Sequence, residues 1–189
     1  MKKVISLVLF IIICSTINGQ DHLKFKGFEI NGKVNNFGKL LEKDGYKFLG
    51  GEDGFYFYSG EFESYKKSTI SIAGTKISSI IWQVLVLLPE FSTWRKTKES
   101  YFALKDQFNI KYGLGKSVEY FKYPYKDGDG SESYAFASEN AAFITFWELT
   151  NGFVTLEIAT ANQVMITYED ALNVKIKVRE RATKMINEL

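Results

Sequence analysis

Between Tyr46 and Tyr168 the chain breaks into short β-rich runs, each closed by turn residues, and that punctuation narrows its fold more than any other feature. Runs at 46–49, 55–62, 65–73 and 77–88 follow one another, with Gly50-Gly51-Glu52-Asp53-Gly54 and Gly74-Thr75 among the separators. A second series at 118–123, 133–138, 141–149, 153–160 and 163–168 is parted by Asp127-Gly128-Asp129-Gly130, Glu139-Asn140, Asn151-Gly152 and Ala161-Asn162. Connections this short leave neighbouring strands no choice but to run antiparallel, and Asn151-Gly152 between apolar runs is the strongest hairpin signal.

A helix precedes each series. Val34, Phe37, Leu40 and Leu41 fall at helical spacing, with Gly45 placed as a left-handed stop. Ser92 or Thr93 can cap a second helix, on which Trp94, Tyr101, Leu104 and Phe108 share a face and Gly113 ends the run. Residues 170–189 carry both strand-like and helix-like spacing; twenty residues without a turn signal are long for a strand, so the segment reads as helix. The expectation is an α+β fold, an antiparallel sheet with helices on one face, in which 20–90 and 91–189 duplicate an α-then-four-β unit. The two halves share few residue identities.

The first residues carry a different message. Lys2 and Lys3, an apolar run from Val4 to Ile13 and small polar residues up to Gly19 have the pattern of a cleaved secretory signal over 1–19. Ten apolar residues make only about 15 Å of helix, half a bilayer, too short for a permanent span. Export to the periplasm or beyond follows, with residues 20–189 as one domain. Lipidation at Cys14 is the alternative, disfavoured because bulky Ile13 stands where the processing enzyme wants a small residue.

Cleavage after Gly19 removes the only cysteine and leaves a single histidine, His22, beside 22 basic and 22 acidic residues. Disulfides, a zinc site and a Ser-His-Asp or Cys-His pair are then out of reach unless His22 serves, and it reads as a solvated terminal residue. Zero net charge gathers no nucleic acid and permits a homodimer. Stability must come from burial, for which 16 Phe, 11 Tyr and 3 Trp supply area; Trp82, Trp94 and Trp147 all read as core.

The stretch Phe25-Lys26-Gly27-Phe28-Glu29-Ile30-Asn31-Gly32, the Trp94, Tyr101, Leu104-Lys105 spacing running into Lys111-Tyr112-Gly113, and Tyr168-Glu169-Asp170 followed by Asn173 resemble a family of uncharacterised exported domains of envelope-bearing gut bacteria. The resemblance covers nearly the whole of residues 20–189 and implies export and an α+β fold, with no catalytic residues to carry over. Where that pattern has a proline soon after Lys-Tyr-Gly, this chain has Leu114 and Gly115. In outline the tandem arrangement is also similar to secreted β-lactamase inhibitor proteins, which act by binding another protein.

Four constellations bear on chemistry. Gly115-Lys116-Ser117 has the end of a phosphate loop, but Ile110 stands where its first glycine belongs and the strand-loop-helix order is reversed. Asp127, Asp129 and Ser131 space oxygens as a calcium loop does, although Glu132 occupies the glycine position; weak calcium binding and a solvated hairpin loop are both open. Glu148 and Glu157 flank the 151–152 turn and are the pair a glycan hydrolase would use, if they converge. In Phe55-Tyr56-Phe57-Tyr58, alternation sends the phenylalanines to one face and the tyrosines to the other. Tyr56 and Tyr58 then form either an exposed pair for a ligand or partner, or a pair packed under a helix.

The sequence therefore predicts an exported, non-enzymatic binding or interaction domain without cofactor or transmembrane span, recognising a protein, peptide or envelope component. A carboxylate-dependent glycan hydrolase and a structural envelope subunit are the alternatives.

Overall fold

The chain begins its folded course with a small hairpin, β1 (Lys24–Phe25) and β2 (Phe28–Glu29), turned at Lys26 and Gly27. Helix α1 (Val34–Lys43) follows, and the first series of runs becomes β3 (Lys47–Glu52), β4 (Phe55–Phe62), β5 (Tyr65–Gly74) and β6 (Ile81–Leu87). Helix α2 (Trp94–Tyr112) opens the second half, capped by Thr93, whose side chain accepts from the Lys96 N–H, and stopped at Gly113 with φ +87°. Strand β7 (Lys116–Phe121), a short helix α3 (Glu132–Ala137), β8 (Ala141–Leu149), β9 (Gly152–Thr160), β10 (Gln163–Asp170) and α4 (Ala171–Asn187) complete it. This is a computed structural model and describes residues 21–160 and 162–187; the leader expected over 1–19, with Cys14, lies outside them. No helix among the described residues is long and apolar enough to cross a membrane.

Eight strands form one antiparallel sheet in the order β3-β4-β5-β6-β10-β9-β8-β7. The last strand of each series, β6 and β10, pair at the centre, and the first strands, β3 and β7, are the edges. Register aligns Tyr58, Ile70, Val86, Ile166 and Leu156 in one row, and Tyr56, Ile72, Val84, Tyr168, Val154 and Trp147 in the next. Apart from half-buried Tyr56, every one of these side chains is buried. Helix α1 lies over the β4–β5 end of this face, and the Phe108 ring of α2 packs on Trp147 and Tyr168. Between them Phe25 of the hairpin stacks on Phe62 at 5.9 Å and meets Tyr168 edge-on at 5.3 Å. Among the described residues the opposite face is covered only at its Trp82 end, by α4, and Phe57, Leu85, Leu87, Met165, Ile144 and Phe146 there are only partly buried or exposed.

Three local readings change. The run expected as a strand over 133–138 is instead the helix Glu132–Ala137 with Ser138 as its cap: consecutive Ala135 and Phe136 both turn inward while Tyr134 is exposed, which a strand's alternation forbids. Residues 77–80 belong to the β5–β6 loop, with Ile77 exposed, so β6 starts at Ile81. The β8–β9 turn is Thr150-Asn151, because Leu149 already pairs with Gly152. Gly152 is needed for close approach instead: a Cβ there would stand 2.2 Å from the Glu169 carbonyl oxygen.

Helix α4 is fixed at its root by Asp170, wholly buried, whose carboxylate accepts from the backbone N–H groups of Leu23 (2.8 Å) and Asn173 (2.9 Å). His22 Nδ1 lies 3.1 Å from the same carboxylate, so the histidine is tied down rather than solvated. The Asn173 amide then donates to the carbonyls of Ile30 and Ile81, joining helix, hairpin and sheet.

Candidate functional site

Helix α1 settles the fate of the tyrosine pair. Gly38 comes so close to the sheet that an added Cβ would meet the Tyr58 hydroxyl at 2.1 Å, and Tyr58 is buried with only 4% of its surface exposed. Tyr56 is half-buried beside it, packed against the core. The exposed pair on β4 is Phe55 and Phe57, at 42% and 38%. Tyrosine ordinarily takes the wetter side; here the side with the helix layer took the tyrosines because a glycine left room for one phenol.

The 127–132 loop does not gather its oxygens on one point. Asp127 accepts from the Trp94 indole N–H at 2.7 Å and pairs with the Lys98 ammonium, and these partners hold its carboxyl below the usual range. Asp129 accepts from the backbone N–H groups of Ser131 and Lys126, which lower its pKa, and Ser131 stands at the start of α3. Both aspartates are committed to loop and helix contacts. No group of three His, Cys, Asp or Glu able to hold a metal occurs among the described residues.

Glu148 and Glu157 do share the open face, but they are not brought together. Glu157 pairs with Ile144, four residues before Glu148 on β8, which sets the two glutamates roughly 13 Å apart along the strand. Glu148 instead faces Lys116 at 3.6 Å. Lys116 and Ser117 of the phosphate-loop fragment lie on an edge strand, with no helix N-terminus following. A polar cluster joins α2 to β7 and β8: Tyr101 donates toward Glu119 at 2.9 Å, its hydroxyl lies 2.6 Å from Thr145 Oγ1, and burial raises its phenol well above the ordinary value.

What the fold does assemble is a groove at the end of the sheet where α4 passes the β5–β6 loop. Strand β6 carries a bulge: Gly74 pairs with Ile81 and Ala73 with Gln83, which leaves Trp82 as an extra residue. Ile81 and Val84 both face the helix layer, so Trp82 and Gln83 turn to the other side. Trp82 is buried there by α4, whose Lys177 ammonium lies 3.2 Å from the ring centre. Glu180, one turn on, fixes the helix to the loop: its carboxylate accepts from Ile77 N–H (2.8 Å), Ser78 N–H (3.1 Å), Thr75 Oγ1 (3.0 Å) and the Ser78 hydroxyl. Burial pushes the Glu180 carboxyl up, but these hydrogen bonds outweigh it and the net shift is downward.

The space so enclosed measures about 410 Å³, with Phe55, Ile77, Trp82 and Met185 as apolar lining and Lys76, Lys177, Arg181 and Lys184 as cations. Two acids line it as well, Asp53 and the fully engaged Glu180. Burial, helped by the neighbouring Arg181 charge, lowers the Lys177 pKa, with Glu169 acting the other way. Lys76, Lys177 and Arg181 have no ion-pair partner within 4.0 Å among the described residues. Lys177, half-buried over the Trp82 ring, with Lys76 and Arg181 exposed at the rim, can receive an anion that brings its own apolar body.

Sequence reading passed over this site. One signal was present: Lys177, Arg181 and Lys184 recur at helical spacing on one side of α4. The rest depends on a bulge and on a loop 100 residues away in the chain, clamped by Glu180 across a separation of 102 to 105 positions. No family model matches the chain, and no curated protein or solved structure matches it.

Proposed function

We propose that the chain is an exported, non-catalytic binding domain that takes a small organic acid, a carboxylate on an acyl or aryl body, into the groove beneath α4. The carrying observation is the set of three cations, Lys76, Lys177 and Arg181, that have no ion-pair partner among the described residues and stand around an apolar floor. The acid group would lie between Lys177 and Arg181 and the apolar body against Phe55, Ile77 and Met185. Export rests on the leader pattern of residues 1–19.

Calorimetric titration with dodecanoate, set against the uncharged dodecanol, tests the reading. Dodecanoate saturates one site per chain and binds at least about tenfold tighter than the alcohol, a difference of roughly 1.4 kcal/mol. The double variant Lys177→Ala with Arg181→Ala loses that preference, and Lys39→Ala on the exposed side of α1 keeps it. Equal binding of acid and alcohol, or an unchanged double variant, removes the site. The acid is recovered chemically intact; an altered acid overturns the non-catalytic part.

The same reading takes the two halves as tandem α-then-four-β units. It is supported by the strand order, in which α1-β3-β4-β5-β6 and α2-β7-β8-β9-β10 run inward from opposite edges, with α3 an insertion in the second unit.

A further inference from the structure

We infer that the part of the sheet's second face that α4 leaves uncovered is the contact between two copies of this chain, packed sheet to sheet about a twofold axis parallel to the strands. The contact needs no ligand in the groove, although Phe55 of the groove lies on the same face.

Size is the first argument. Eight strands about 4.8 Å apart, each presenting about six residues at roughly 3.3 Å, make a face on the order of 700 Å². A stable interface buries roughly 800 Å² per partner, apolar and polar positions together, which this face approaches.

Self-complementarity is the second. With β6 and β10 at the centre, the twofold lays β6 of one copy over β10 of the other, β5 over β9 and β4 over β8. Residues in one register row then meet across the gap of about 10 Å that separates packed sheets. Leu87 meets Met165 of the second copy, and Phe57 meets its Phe146. In those rows Ser71 and Thr155, and Thr69 and Glu157, also fall opposite one another, while Ser59 falls over Ile144 and Thr167 over Leu85. Like charges nowhere coincide: Lys47 falls over Val118 and Lys116 over Gly50. A foreign partner need not satisfy such a match with itself; a homodimer must.

Sedimentation equilibrium of the purified protein, from micromolar to submillimolar concentration, decides the matter. A reversible monomer–dimer equilibrium with a micromolar constant is expected, and Leu87→Lys with Met165→Lys, both at partly exposed positions, weakens it at least about a hundredfold. Should that double variant fail to fold, Phe57→Lys at the outer part of the face serves, with circular dichroism as the check. A protein that stays monomeric throughout, or a dimer indifferent to both variants, overturns the assignment.

Discussion

Neighbouring residues of one strand lead opposite lives in this protein. Ile166 on β10 is wholly buried beneath the helix layer, and Met165, one residue earlier, stands on the open face, only partly covered. The same division separates Tyr58 from Phe57 on β4 and Val86 from Leu85 on β6. From β4 to β9 the covered rows are apolar or aromatic throughout, whereas the open rows interleave their large apolar side chains with Ser59, Thr69, Ser71, Thr155, Thr167 and Glu157; α1 and α2 stand over the first set. The covered face holds the fold together, and the open face, apolar in places, is the one the proposed dimer would use.

The sharpest way to break this contrast is to shorten one side chain on each face. Ile166→Ala, with a cavity opened between sheet and helices, costs about 2 to 5 kcal/mol, whereas Met165→Ala costs under about 1 kcal/mol at concentrations where the protein is monomeric. Urea unfolding midpoints measure both. Equal losses would mean that the open face is as tightly packed as the covered one, and the distinction between them would fall.

A second, smaller effect probes why the tyrosines lie inward. Gly38→Ala puts a methyl on the Tyr58 hydroxyl, at a cost of about 1 to 3 kcal/mol for overpacking, offset by about 1 kcal/mol of helix propensity. Tyr58→Phe removes the obstructing oxygen, so Gly38→Ala in that background becomes neutral or stabilising. The interaction term of a thermal double-mutant cycle reads the coupling. Additive effects would show that Gly38 is not what admits the phenol.

That pair also marks the limit of what the sequence could reveal. Strands and turns were legible because their causes are local: alternation in residues 55–62, Thr93 as a cap, Gly113 as a stop. The alternation correctly split Phe55 and Phe57 from Tyr56 and Tyr58, but assigning the faces required knowing that Gly38 of α1 would dock on β4, a contact 20 residues distant in the chain. The helical turn at 132–137 was hidden by an accidental alternation of aromatic and small residues. The groove was the least legible, since Trp82 owes its direction to a bulge and its cover to a helix that begins nearly 90 residues later.

The mildest prediction concerns Glu157, which stands on the open face between Ile144 of β8 and Met165 of β10, and whose carboxyl is raised above its ordinary value by burial alone. A carboxyl with a raised folded-state pKa binds its proton more readily in the native than in the unfolded chain, so its contribution to stability falls as pH rises through the window between the two values. Below the unfolded value Glu157 costs nothing; above the folded value the full penalty of a desolvated charge is present. Glu157→Gln removes the penalty while keeping the shape, so the variant melts higher than the parent at neutral pH and the gap closes as pH drops below the ordinary carboxylate range. In a sheet-to-sheet dimer the penalty grows, because the second sheet withdraws more water than Thr69 can replace with one hydroxyl. Glu157→Gln therefore also tightens self-association at neutral pH. Melting temperatures and sedimentation at two pH values test both parts: a Gln variant that stabilises the monomer but leaves the dimer constant unchanged would place Glu157, and the rows beside it, outside the interface.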